Sequence, residues 1–145
     1  SGPFLDRIDL YFDTPPVTAV DLALPPPTEG TREARARVAA ARDVQADRFG
    51  ETGDDTRRPV NADAPLPELE QVARPDQPGA TLLADAAARL SLTARGYSRV
   101  LKVARTIADL DGSGGVRRVH IAEALSYRQR PAGQGEGVNA EAMAR

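Results

Sequence analysis

The first apolar pattern in the chain has a period of two. Ile8, Leu10 and Phe12 alternate with Asp9, Tyr11 and Asp13, the spacing of a half-buried strand, and the run stops at Thr14-Pro15-Pro16. A lone strand cannot satisfy its own backbone or bury its apolar face. No second convincing strand follows, so the pattern predicts that its neighbours lie outside this chain, which then reads as the C-terminal piece of something larger. Every later pattern is helical. TREARARVAAARDVQADRF combines strong helix formers with Thr31 as N-cap and predicts a helix over 32–49. Its apolar stripe of Ala34, Val38, Ala41 and Phe49 is thin, which predicts an arm held by arginine–acid pairs, with room for a partner. A short helix around 67–72 ends before Arg74-Pro75. In GATLLADAAARL, the residues Leu82, Leu83, Ala86, Ala87 and Leu90 share one helical face. LTARGYSRVLKVARTIADLDG predicts a longer helix, with Thr93 as N-cap, Leu92 as a hydrophobic staple and Gly112 past its end. Its face of Tyr97, Val100, Leu101, Ala104, Ile107 and Ala108 is core. A last helix is expected over 118–128, carrying Ala122 and Leu125.

These patterns divide the chain. Residues 1–13 are the strand-like segment, 14–30 a Pro-rich linker with polyproline bias, 31–77 a helical arm with loops, 78–128 a closed helical bundle, and 129–145 a Gly-rich tail expected to be disordered. Composition agrees with a small core. At 145 residues there is room for one ordinary domain, but aromatics are only 4% and there are 12 prolines and 12 glycines. A net charge of −2 gives no broad attraction to nucleic acid or anionic membrane, so any such contact is local. No apolar run approaches the roughly 20 residues of a spanning helix. With no cysteine, disulfides, thiolate metal sites and a cysteine nucleophile are excluded.

Candidate chemistry is confined to the long helix and the loop after it. Arg95, Arg99 and Lys102 fall at i, i+4 and i+7, and Arg95 stands in the first turn, where helical N–H groups also favour anions. A phosphate site there is physically sensible; the plain alternative is a solvated basic face. DLDGSGGVRRVH places Asp109, Asp111, Ser113, Gly114 and Val116 at the early positions of a calcium-binding EF-hand loop. Its twelfth position, however, is His120 rather than the bidentate glutamate. The loop reads better as a helix–helix turn, and no metal site is expected. His120 is the only histidine, no nucleophile elbow surrounds any serine, and no G-x-x-x-x-G-K-[ST] loop occurs. The chain by itself is therefore not expected to hydrolyse ATP.

Two stretches, SGPFLDRIDL and LTARGYSRVLKVARTIADL with the HIAEALSYR that follows, resemble the C-terminal portion of the magnesium-chelatase-like AAA+ ATPases of the ComM/YifB type. The resemblance is close at both ends of the chain and loose in the middle. It implies a mainly α fold, a small helical-bundle lid domain, preceded by a last strand-like piece of the AAA+ core and a helical arm. It implies that Arg7, in the D-R-I-D-type motif, is an arginine finger reaching the γ-phosphate bound by a neighbouring subunit. Arg95 resembles the sensor-2 residue that touches nucleotide in its own subunit, with Arg99 and Arg105 of second rank. The implied parent is a hexameric, cytoplasmic bacterial ATPase that uses ATP and Mg. It would be a DNA-directed motor linked to transformation and recombination, whose DNA-gripping pore loops lie upstream. Its partners would be the upstream core of the same protein and neighbouring subunits, not a membrane. The alternative from another class is a non-catalytic helical module whose 31–49 arm and basic face bind a protein or nucleic acid.

Overall fold

A computed structural model describes residues 7–25, 28–50 and 59–128. Among them are six helices: α1 (Ala19–Leu22), α2 (Thr31–Phe49), α3 (Leu66–Val72), α4 (Gln77–Arg89), α5 (Ala94–Leu110) and α6 (Arg118–Ser126). The arrangement is a small helical bundle with α5 at its centre, packed against α2, α3 and α6, while α4 closes on α6. The expected tail beyond Arg128 lies outside the described residues.

The amphipathic pattern explains α5. Val100, Leu101, Ala104 and Ala108 are buried on one side of it, meeting Leu83 of α4 and Ile121, Ala124 and Leu125 of α6. Each large aliphatic side chain fully buried here contributes about 1.5–3 kcal/mol. The Thr93 hydroxyl accepts the Gly96 N–H at 3.0 Å, which starts the helix at the expected residue. Gly112, at φ +67°, turns the chain away after it. Leu69, Ala73 and Ala64 also enter this core, so chain ahead of position 78 helps to close it.

A second contact ties the loop before α6 to the start of α4. Pro75 and Val116 form an isolated parallel bridge, and the Asp76 N–H donates to the Val116 carbonyl at 2.9 Å. The Asp76 carboxylate then caps α4 by accepting the Gly79 N–H at 2.8 Å. Gly79 fits because nothing larger does: a Cβ there would stand 2.7 Å from that carboxylate and 3.3 Å from the Arg118 nitrogen.

Residues 8–12 pair with no strand among the described residues, and two further expectations are corrected. Leu10 and Phe12 are exposed, and the segment is held instead by the Tyr11 N–H, which donates to the Tyr127 carbonyl at 2.7 Å. The Pro-rich linker is interrupted by α1, a single turn whose Thr18 and Asp21 cap each other reciprocally at 2.7–3.3 Å. These hydrogen bonds hold the Asp21 carboxyl below its ordinary value. Finally, α2 is capped at Gly30 rather than Thr31, because the Glu33 carboxylate reaches back to the Gly30 N–H at 3.1 Å.

Candidate functional site

The outer face of α5 forms one wall of an open groove of about 590 Å³. Arg95, Arg99 and Lys102 line it, as their spacing along the helix requires. Val103, Ile107 and Leu110 from the next turns give it an apolar floor, and Asp9, Leu10 and Tyr127 close its edge. Arg95 is exposed, in the first turn of the helix. Arg99 is mostly buried and pairs with Asp9. The Lys102 ammonium donates to the Ala62 carbonyl at 2.6 Å, so the turn over residues 60–64 is pinned beside the groove. Three cations on one wall above an apolar floor can hold a phosphate-bearing ligand, with the floor taking a flat or aliphatic group. Arg7, the third arginine singled out in the sequence, is exposed in a turn and does not line this groove. The structure thus brings Arg95 and Arg99 together and leaves Arg7 apart from them.

Behind the groove lies a polar cluster that hydrophobic periodicity does not reveal. The Asp109 side chain is fully buried and accepts from Arg48 of α2 at 2.5 and 3.0 Å, from Arg105 at 3.1 Å and from the Asn61 amide at 2.8 Å. Arg105 also donates to the carbonyls of Ser113 at 2.7 Å and Gly114 at 3.3 Å, which fixes the loop after α5. The Gln45 side-chain oxygen Oε1 accepts the Asn61 backbone N–H at 3.2 Å. Burial alone would raise the Asp109 carboxyl, but hydrogen bonds from Arg48 and Asn61, with the charges of Arg105 and Arg48, carry it below its ordinary value. Arg105, second-rank as a phosphate contact, is therefore a packing residue here, with only 2% of its surface exposed. The arm is held by an arginine–acid pair, as its thin apolar stripe implied, but the pair is Arg48 with Asp109. The signal was present in the register: Ala41, Gln45 and Arg48 recur at i, i+4 and i+7, and the first two are buried.

The EF-hand-like loop is committed elsewhere. Asp109 belongs to that cluster, and the Asp111 carboxylate accepts from Arg117 at 2.7 Å and from His120 Nε2 at 3.2 Å. His120 Nδ1 accepts the Arg117 N–H at 3.0 Å, so Nε2 is the ring atom that donates. The His120 hydrogen bond, with the charge of Arg117, lowers the Asp111 carboxyl despite some desolvation. Among the described residues no three histidine, cysteine or carboxylate side chains are grouped to hold a metal. Millimolar calcium is expected to leave the NMR signals of residues 109–120 unchanged, and a saturable shift there would restore the loop as a cation site.

Residues 28–128 match the family described as magnesium chelatase, subunit ChlI C-terminal. The chain belongs to that family. Similar proteins include an uncharacterized protein YifB of Escherichia coli K12, 38% identical over 129 residues, which covers 88% of this chain and 24% of the relative. Competence protein ComM of Haemophilus influenzae Rd is 36% identical over 129 residues, with the same coverage. The uncharacterized protein Rv2897c of Mycobacterium tuberculosis H37Rv is 36% identical over 129 residues, 89% of this chain and 25% of the relative. The chain thus spans about a quarter of the length of these relatives. The family match takes in the arm, the central helix and the groove wall. Among the described residues no helix is long and apolar enough to cross a membrane.

Proposed function

We propose that this chain is the lid of a magnesium-chelatase-like AAA+ ATPase and that its groove senses bound nucleotide. The observation that carries the reading is the alignment of Arg95, Arg99 and Lys102 along one wall of a groove, in a chain that belongs to the ChlI C-terminal family. Arg95 contacts the phosphates of ATP held by its own subunit, and Arg99 adds a second guanidinium. Arg7, exposed and outside the groove, acts on the ATP of a neighbouring subunit, which requires an oligomer; a hexamer is the natural closed ring. Magnesium and the phosphate-cradling loop belong to the core of the parent protein, since this chain carries no G-x-x-x-x-G-K-[ST] sequence. The likeness to a protein named for competence supports a DNA-directed motor of transformation or recombination, working in the bacterial cytoplasm.

In the full-length protein, Arg95→Ala is expected to lower ATP turnover at least tenfold, the scale of a lost charge-assisted phosphate contact of about 1.5–3 kcal/mol. Arg95 is exposed, so the same change should shift the unfolding free energy by no more than about 0.5 kcal/mol. Normal turnover by this variant would sink the sensor reading and favour the non-catalytic interaction module.

A further inference from the structure

Two carboxylates line the groove on α5: Glu123 accepts from the Tyr127 hydroxyl at 3.2 Å, and Asp9 reaches one of the groove's arginines. Asp9 pairs with Arg99 at the groove's edge, although the two residues are 90 positions apart. The Arg99 side chain is 23% exposed, and its Nε is buried with no hydrogen-bond partner among the described residues. Asp9 therefore satisfies only part of a planar fork with five N–H donors. Asp9 itself is open to water, with 58% of its side chain exposed. Two further bonds hold the same segment across the edge of α5 and α6. The Tyr11 N–H donates to the Tyr127 carbonyl at 2.7 Å, and Arg128 Nη1 donates to the Ile8 carbonyl at 3.4 Å. Arg7 stands two residues ahead of Asp9 on this strap.

The strap competes for a cation that a phosphate would also take. With most of Asp9 in water, the pair shifts an equilibrium by only a few-fold. A polyphosphate brings several negative charges to Arg95, Arg99 and Lys102 together, against the single charge of Asp9. We infer that Asp9 is a built-in competitor for anions at Arg99, and that a phosphate-class ligand entering the groove displaces it and frees the segment carrying Arg7. The inference rests on the phosphate reading of the groove proposed above and adds its regulation. Groove occupancy and the position of Arg7 are then linked reciprocally: what loosens the strap tightens the ligand, and the reverse.

Inorganic tripolyphosphate is the probe, titrated at low ionic strength into the chain and its Asp9→Asn, Asp13→Asn and Arg95→Ala variants while amide signals over residues 95–102 are followed by NMR. Asp9→Asn should bind about threefold more tightly than the parent, the size of the competition removed. Asp13→Asn removes the same charge four residues on and should change affinity much less. Saturating probe should also speed hydrogen exchange at the Tyr11 amide in the parent chain, because its bond to Tyr127 opens with the strap. Equal affinity of the parent and Asp9→Asn, an unchanged Tyr11 amide and lost binding in Arg95→Ala would overturn the competitor and leave the phosphate reading standing. An equal gain from Asp9→Asn and Asp13→Asn overturns it too, by reducing the effect to net charge. Absence of binding to every variant, Asp9→Asn included, removes the phosphate reading itself and the inference with it.

Discussion

Asp109→Ala is expected to destabilise the domain by about 3 kcal/mol, measured as a drop in the urea midpoint at unchanged slope. The carboxylate sits near the C-terminal end of α5, where the helix dipole disfavours a negative charge, so its place depends on the groups around it. Arg48 and Arg105 supply the opposite charges and Asn61 a further hydrogen bond. Removing the carboxylate leaves Arg105 buried beside another cation with no counter-charge, which costs more than the lost bonds alone. Asp109→Asn should cost nearly as much, because it keeps the shape and removes only the charge. Arg48→Ala should cost less, since Arg48 is at the edge of the cluster and Asp109 keeps Arg105. The pH dependence has a definite sign. The folded carboxyl lies below its ordinary value, so its contribution is fully present above about pH 4 and is lost as pH falls through the folded value. A midpoint that is flat from pH 7 to 5 and falls below pH 4, more steeply in the parent than in Asp109→Asn, where the lowered carboxyls of Asp21 and Asp111 still contribute, is the expected result.

The largest effect on activity is expected from Arg7→Ala, a fall of about a thousandfold or more in ATP turnover by the full-length protein. A guanidinium that neutralises charge on the transferring phosphoryl group acts only in the transition state, so turnover should fall much further than nucleotide affinity. Arg7 is exposed, and its loss should leave the bundle as stable as before. A mixing experiment separates its route from that of Arg95. On the proposed reading, Arg7→Ala subunits would keep their own phosphate-binding loop, and subunits defective in that loop would keep their own Arg7. Mixed rings should therefore regain some complete sites. The same mixture made with Arg95→Ala should regain none, because loop and sensor must belong to one subunit. Recovery in both mixtures, or in neither, would contradict the assignment of one arginine to each side of the boundary.

What was legible in the sequence follows from which forces leave a local trace. The central helix could be read because its aliphatic residues recur at helical spacing and its ends carry their own signals, Thr93 and Gly112. The basic stripe could be read for the same reason, since Arg95, Arg99 and Lys102 are set by one helix alone. The strand over residues 8–12 could not be verified locally, because alternation describes a face and not the partner that makes a strand. The buried cluster of Gln45, Asn61, Arg105 and Asp109 was not legible, although Arg105 and Asp109 were singled out for other roles, because polar residues are expected at the surface and these four are buried only by satisfying one another across distant segments. The pairing of Asp9 was hidden for a similar reason: its partner is fixed by the tertiary fold, not by neighbours in the chain.

The charge cluster ties the C-terminal end of the central helix to the arm, while Arg95 stands exposed at its N-terminal end. From Asp109 in the clamp to Arg95 is about 21 Å, at roughly 1.5 Å of rise per residue. A tilt of about 10° around the clamped end would carry Arg95 through almost 4 Å, more than the length of a hydrogen bond. The helix is thus a lever whose fulcrum is a knot of charges and whose tip carries the arginine proposed above to meet phosphate. Small strains delivered through the arm at Arg48 would become the difference between touching a ligand and missing it.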